Sequence, residues 1–216
     1  MNFFITATDT DVGKTYVARG IVQELLKRNK QVAYFKPLQS GIVPGTPSDA
    51  EMVSNNTVGK LTIKNSYITI TPSTPSVSAK IDGVKIDLDK IAADYNKLSK
   101  DNDIVVTEGS GGIFVPVNDN SLISDIIKKL DLPCIIVARP NLGTINHTLL
   151  TINALRNLNI KILGVIISNY PPHTTDPVIT TAPGLIEKFG RVKILDIIRN
   201  NQTDFSKTVD KIYKQP

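Results

Sequence analysis

At 216 residues, 41% of them hydrophobic and 21% charged, the chain has the size of one well-packed domain and the composition of neither a disordered polyelectrolyte nor a membrane protein. No apolar run approaches the roughly 18 to 20 residues that a spanning helix needs. The net charge of +5 suits nucleic acid or a phosphorylated ligand, but the lysines are scattered and no aromatic-studded basic stripe accompanies them, so neither nucleic acid nor membrane is expected as a partner.

The opening Met1-Asn2-Phe3-Phe4-Ile5-Thr6-Ala7 lacks a basic flank and is too short for the apolar part of a signal peptide. It reads as a first strand over 2–7, and the chain is expected to stay in the cytoplasm. A helical pattern follows over 14–29 and a second strand over 31–36. The stretch 40–85, rich in Pro, Thr, Ser and Gly, is the least regular of the chain; within it 61–70 has the residues of an extra strand and 71–76 those of a turn. Beyond it come a helix over 87–100, a strand over 103–108, a helix over 121–130, a strand over 133–138, a helix over 145–157, a strand over 160–168, a helix over 181–189 and a strand over 192–196. Ser121 and Thr144 are read as N-caps, with Asp125 supporting the first turn after Ser121. The six main strands are apolar on both faces, the pattern of a parallel sheet covered by helices. Strand and helix alternating in this way predict a single doubly wound α/β domain. The lone Cys134 has no partner for an intrachain disulfide and reads as a small core residue.

Directly between the first strand and the first helix stands Ala7-Thr8-Asp9-Thr10-Asp11-Val12-Gly13-Lys14-Thr15. That context is the one a Walker A loop requires, because backbone N–H groups and a helix N-terminus cradle phosphates there. Thr8 takes the place of the first glycine of G-x-x-x-x-G-K-[ST]. Asp11, Val12, Gly13, Lys14 and Thr15 are accordingly read as ATP-binding, with Lys14 reaching the β- and γ-phosphates and the Thr15 hydroxyl on Mg²⁺. Two carboxylates suit the same ion, which favours oxygen ligands. Glu108 ends the strand over 103–108, where open α/β sheets hold their ligands, and the turn Gly109-Ser110-Gly111-Gly112 follows with N–H groups able to hold an anion. Asp49, in the loop 47–50, fits either a metal ligand or a helix cap. Lys36-Pro37-Leu38-Gln39-Ser40-Gly41 puts a second lysine at the edge that carries Lys14. Two lysines converging there neutralise charge on a transferring phosphoryl group.

Taken together with Leu142-Gly143-Thr144-Ile145-Asn146-His147 and with Asn169 after the fifth strand, these segments resemble the dethiobiotin synthetase family over almost the whole chain. The resemblance implies a P-loop NTPase fold and a homodimer. It also implies an ATP- and Mg²⁺-dependent reaction in which 7,8-diaminopelargonic acid takes up CO₂ as a carbamate, the carbamate takes the γ-phosphoryl group, and the second amine closes a ureido ring. Under it Lys14, Lys36 and Ser40 act in catalysis, while Thr15, Asp49 and Glu108 hold Mg²⁺. Lys36, Ser40, Gly111 and Gly112 lie against the diamine and its carbamate. Thr144 offers N–H groups to the substrate carboxylate, Asn146 contributes across the dimer interface, and Asn169 reads adenine. His147 matches the family in a capping or core role, and His173 is read as surface. The chain departs from the family at Ala7 in place of Gly, at Asp11 in place of Glu, in the absence of a Pro-His pair over 72–76, and in the lack of a turn proline over 196–198. The rival reading is a partition-type ATPase switch with a macromolecular partner, but such proteins carry a lysine five residues before the P-loop lysine, where this chain has Asp9. A GTPase is opposed by Asn29-Lys30 and Asn96-Lys97, neither followed by the Asp of a guanine motif.

Overall fold

The computed structural model describes residues 1–42 and 45–214. In chain order its elements are β1 (Phe3–Ala7), α1 (Lys14–Lys27), β2 (Val32–Phe35), β3 (Leu38–Gln39), α2 (Asp49–Ser54), β4 (Leu61–Lys64), β5 (Tyr67–Ile68), α3 (Pro75–Ile81), α4 (Leu88–Asp101), β6 (Ile104–Gly112), α5 (Ile123–Leu130), β7 (Cys134–Ala138), α6 (Thr144–Asn157), β8 (Ile162–Tyr170), α7 (Pro177–Gly190), β9 (Ile194–Arg199) and α8 (Ser206–Tyr213). Seven strands form one sheet in the order β4-β2-β6-β1-β7-β8-β9, every neighbouring pair parallel.

Successive residues of a strand point to opposite faces, and here both faces are covered. Phe3, Ile5, Val32, Tyr34 and Val106 pack with Val17, Ile21 and Leu25 of α1 and Val209 and Ile212 of α8. Their alternates Phe4, Ala33, Phe35, Val105 and Ile136 pack with Ile91 of α4, Ile123 of α5, Ile152 of α6 and Ile186 of α7. This is the doubly wound α/β arrangement that the two-faced apolar strands predict. Cys134 is fully buried, and burial pushes its thiol pKa up, which keeps it a neutral core residue.

From β1 the chain winds to one side through β2 and β4. It then returns to insert β6 between β2 and β1, and continues to the other side through β7, β8 and β9. The carboxyl ends of β2, β6 and β1 therefore lie side by side at the place where the winding reverses, which is where such sheets hold ligands.

Where the structure departs from the sequence reading, local chemistry gives the reason. The first turn of α5 is closed by Asp125, which accepts from the Leu122 N–H at 2.8 Å, so Ser121 is not its cap. Gly143, at φ +94°, takes the N-cap place expected of Thr144, which is already helical. α7 starts at Pro177 under an Asp176 cap, ahead of the expected Thr181. Inside α7, Pro183 has no N–H for the Ile179 carbonyl, which accepts from Tyr170 Oη at 3.5 Å instead. The 40–85 stretch carries α2, β4, β5 and α3, with its residues 43 and 44 outside those described. The expected strand over 61–70 is two strands: β4 extends the sheet, and β5 pairs with β3 apart from it. α8 has no counterpart in the sequence reading.

Candidate active site

The loop between β1 and α1 is anchored by the Thr8 N–H, which donates to the Val137 carbonyl at 3.0 Å, and turns through Asp11 at φ +56° and Gly13 at φ +95°. A Cβ on Gly13 would lie 2.5 Å from Ser168 Oγ and 3.3 Å from Asn169 Nδ2, so only glycine fits between this loop and the end of β8. Lys14 opens α1 and is buried, its Nζ donating to the Asp9 carbonyl at 3.4 Å. Burial lowers its pKa from the usual lysine value; the Glu108 carboxylate opposes that shift and the Lys36 ammonium adds to it.

Around Lys14 the expected ligands converge. Thr15 Oγ1 lies 2.7 Å from Glu108 Oε1 and 3.2 Å from Asp49 Oδ1, and its single proton serves one or the other. Lys36 Nζ donates to Glu108 Oε1 at 3.2 Å and forms a close ion pair with Asp49 Oδ2. Glu108 is fully buried, and its other oxygen accepts from Tyr34 Oη at 2.8 Å. Burial and the adjacent carboxylate push the Tyr34 pKa well above that of an ordinary phenol, so Tyr34 is a fixed donor. Asp49 is the first residue of α2, whose cap is Ser48: the Ser48 N–H donates to Glu51 Oε2 at 2.7 Å and the Glu51 N–H to Ser48 Oγ at 3.2 Å. The helix-cap alternative for Asp49 is thereby answered, since Ser48 fills that role and Asp49 faces Thr15 and Lys36.

β6 does not stop at Glu108. Ile5 pairs with Glu108 but Ala7 with Gly112, so residues 109–111 form a bulge in a continuing strand rather than the free turn expected there. Gly111 sits at φ +66°, and a Cβ on Gly109 would lie 2.7 Å from Phe4 Cε1. The bulge needs glycine for backbone geometry at one position and for space at the other.

These groups line a cleft of about 780 Å³, which Asp11, Gly13, Lys14, Thr15, Lys36, Ser40, Asp49, Glu108, Gly111 and Asn169 all reach. Val12 is buried beneath the loop, and Gly112 backs onto the Ala7 carbonyl just behind Gly111. Thr144 and Asn146 do not line the cleft. Thr144 is buried, its N–H donates to the Asn141 carbonyl at 3.1 Å, and its hydroxyl has no partner among the described residues; Asn146 is exposed on α6. His147 is half-buried in the first turn of α6, and His173 is exposed. Two residues that the sequence reading passed over also matter here. Tyr34 stands two residues before Lys36 on the same face of β2, a period-2 signal that was available. Tyr16 lines the cleft and donates its hydroxyl to the Gln202 carbonyl at 2.6 Å, a contact across 186 positions that no local pattern reveals.

No group of three or more His, Cys, Asp or Glu side chains stands ready for a metal among the described residues. Thr15, Asp49 and Glu108 instead offer three hard oxygens at one point beside the loop. That donor set fits Mg²⁺, which keeps waters and phosphate oxygens in its shell rather than filling it with protein ligands.

Residues 1–204 match the sequence profile of a family described as an AAA domain. The ATP-dependent dethiobiotin synthetase of Methanococcus vannielii is 41% identical over 203 residues, covering 94% of each chain. That of Methanocaldococcus jannaschii is 36% identical over 215 residues, 98% of this chain and 99% of the relative. This chain belongs to the dethiobiotin synthetase family. As a member it is an enzyme, an ATP-dependent ligase of biotin biosynthesis. Among solved structures, the cell division ATPase MinD of Pyrococcus furiosus superposes with a TM-score of 0.64 at 14% identity, over the whole of both chains. A plasmid partition protein from Borrelia burgdorferi does so with a TM-score of 0.62 at 14% identity, again over both chains in full. At such identity the likeness to these ATPases is one of fold alone. No helix among the described residues is long and apolar enough to cross a membrane.

Proposed function

We propose that the cleft converts 7,8-diaminopelargonic acid, CO₂ and ATP to dethiobiotin, ADP and phosphate. One amine adds to CO₂ and loses a proton, giving a carbamate. A carbamate oxygen attacks the γ-phosphorus, ADP leaves, and a carbamic–phosphoric anhydride forms. The second amine then attacks the carbonyl carbon; phosphate departs with the oxygen it received, a proton is lost, and the ureido ring closes. The enzyme's task is to position the reactants and to neutralise moving charge, and no protein nucleophile is needed.

The observation that carries this reading is the convergence of Lys14, Thr15, Lys36, Asp49 and Glu108 on one wall of the cleft, beside the helix N-terminus that follows β1. Lys14, with the N–H groups of 11–15, holds the β- and γ-phosphates. Thr15, Asp49 and Glu108 hold Mg²⁺, which when bound draws charge from the phosphate oxygens. Lys36 lies between the two carboxylates and stabilises the transferring group, and Ser40, Gly111 and Gly112 border the carbamate. Asn169, beside Gly13 at the end of β8, reads the base. The loop departure at Ala7 is harmless on this reading, because the residue closes β1 in ordinary strand geometry and only Asp11 and Gly13 need a left-handed backbone.

Thr144 and Asn146 lie outside the described cleft of their own chain, and in the proposed homodimer the start of α6 serves the substrate carboxylate of the partner. Leu142 in the turn before α6 and Leu150 on the helix, 80% and 59% exposed, supply apolar surface for that contact. Against a partition-type switch stands Asp9, which pairs with Arg139 at 3.7 Å where those ATPases carry a lysine.

The test is carbon-labelled bicarbonate with ATP, Mg²⁺ and the diamine. The reading expects acid-stable label in a cyclic product, with one ADP and one phosphate for each ring closed. ATP hydrolysis without acid-stable label would refute it.

A further inference from the structure

We propose that Tyr34 is a positioning residue for Glu108: its hydroxyl holds one carboxylate oxygen on the core side, so that the other alone faces the cleft as a single-oxygen ligand for the divalent cation. The inference rests on the proposed Mg²⁺ site.

The geometry follows from strand register. Tyr34 pairs with Val106 across β2 and β6, so Glu108, two residues further along β6, projects from the same sheet face as Tyr34, and so does Lys36, just past the end of β2, where its N–H continues the ladder to the Lys64 carbonyl at 3.0 Å. Tyr34 and Glu108 are both 0% exposed, so each polar group needs a partner in the interior. Three groups meet the carboxylate. Tyr34 Oη takes Oε2 at 2.8 Å, while Lys36 Nζ at 3.2 Å and Thr15 Oγ1 at 2.7 Å, whose proton Asp49 also competes for, both lie on Oε1.

A carboxylate without the core-side donor could turn both oxygens toward the cleft. It could then grip a cation with both, or give one oxygen to Thr15 and the other to Lys36. The Tyr34 hydroxyl removes those choices. Rotating the carboxylate by half a turn exchanges its oxygens without altering the division, because whichever oxygen lies inward meets the phenol. The cation would therefore find a single oxygen already aligned with Thr15, on a strand that cannot shift without disturbing the core. Partners of this kind, which touch a ligand rather than the metal, orient the ligand and raise its affinity.

The experiment titrates Mg²⁺ against the protein with a non-hydrolysable ATP analogue, followed by calorimetry, alongside thermal melts. Tyr34→Phe removes only the hydroxyl oxygen. It is expected to weaken Mg²⁺ affinity of the nucleotide complex by about 10- to 100-fold, with analogue affinity in EDTA unchanged. In a Glu108→Gln background the same substitution should cause no further loss of Mg²⁺ affinity. The amide leaves no buried charge without a donor, so should Tyr34→Phe alone not fold, a loss of Mg²⁺ affinity on adding it to Glu108→Gln would still overturn the proposal, because no carboxylate is left there to position. A lower Tm with unchanged Mg²⁺ affinity would make Tyr34 merely structural and overturn the proposal. So would an equal loss of affinity with and without the Glu108 carboxylate. Wild-type analogue binding that does not respond to Mg²⁺ would overturn the metal site itself and the Tyr34 proposal with it.

Discussion

At the phosphate end of the cleft, Lys14, Lys36, Asp49 and Glu108 each have a partner within the protein and stand on or directly beside β2, β6, α1 or α2. At the other end, near Asn169 and Gln202, the polar groups are exposed or half-exposed, and the 199–205 segment meets α1 through one hydrogen bond from Tyr16 and through the buried ring of Phe205, edge-on to Tyr16 and against Gly20. The contrast separates two jobs. Groups that would meet the triphosphate are placed by core packing, where a shift would disturb Phe3, Ile5 and Val106. Groups that would meet the base sit on strand ends and loops, where the polar side chains themselves have few partners even though Phe205 beneath them is anchored in the core.

The sharpest way to break this contrast is at Lys14, where function and stability oppose one another. Lys14→Met should abolish turnover, yet raise the Tm of the nucleotide-free protein, because the buried ammonium is held with incomplete compensation. A gain of about 1 kcal/mol would raise Tm by about 2 to 4 °C. The sign in pH follows from the lowered pKa. Below the folded-state pKa the residue is charged in both states and the full penalty applies, while above 10.5 it is neutral in both and the penalty is gone. The stability advantage of the variant should therefore be largest near neutral pH and shrink as pH rises toward 10.5. Thermal melts across pH decide this, and a variant less stable than wild type at pH 7 would contradict it.

At Lys36 the expected loss is smaller and falls on rate. Lys36→Gln should lower kcat by about 10²- to 10³-fold, with a far smaller change in the ATP dissociation constant measured without diamine. Collapse of ATP affinity with kcat preserved would make Lys36 a nucleotide-binding lysine and remove the carbamate from beside it.

The base end should respond by single hydrogen-bond amounts. Asn169→Ala should reduce the preference for ATP over GTP by up to about 10-fold and leave saturated turnover nearly intact. A kcat/KM ratio unchanged by the substitution would clear Asn169 of base reading. Tyr16→Phe should be milder still, raising the KM for ATP by about two- to fivefold through a looser 199–205 segment. A drop in kcat instead would show that the tie reaches the phosphate end and would erase the distinction between the two.

How much of this was legible in the sequence follows the same division. Lys14, Thr15, Lys36 and Glu108 are legible because each stands at or just past the end of a short two-faced apolar run, and the end of such a run in a parallel sheet has a known place. Asp49 was identified with its role open, although Ser48 and Glu51 spell a capping box that places Asp49 one residue inside a helix. α2 and α3, at six and seven residues, are too short for a helical period to register. The glycines after Glu108 suggested a turn, and the bulge arises from a pairing with Ala7 that lies over a hundred positions away. Tyr34 reads as core by its apolar neighbours, and only strand register reveals that its hydroxyl meets a carboxylate. The substrate roles of Thr144 and Asn146 come from the resemblance alone, and the fold of one chain leaves both residues outside its described cleft.

The central claim is that a carbamate oxygen takes the γ-phosphoryl group in the cleft walled by Lys14, Thr15, Lys36, Asp49 and Glu108. It is tested most directly by supplying ¹⁸O-labelled CO₂ with ATP, Mg²⁺ and the diamine, and reading the phosphate by mass before the label exchanges with water. One oxygen of the carbamate should leave with the phosphate and the other should remain in the ureido carbonyl, so each phosphate released should carry one ¹⁸O. Unlabelled phosphate formed together with labelled cyclic product would contradict the account.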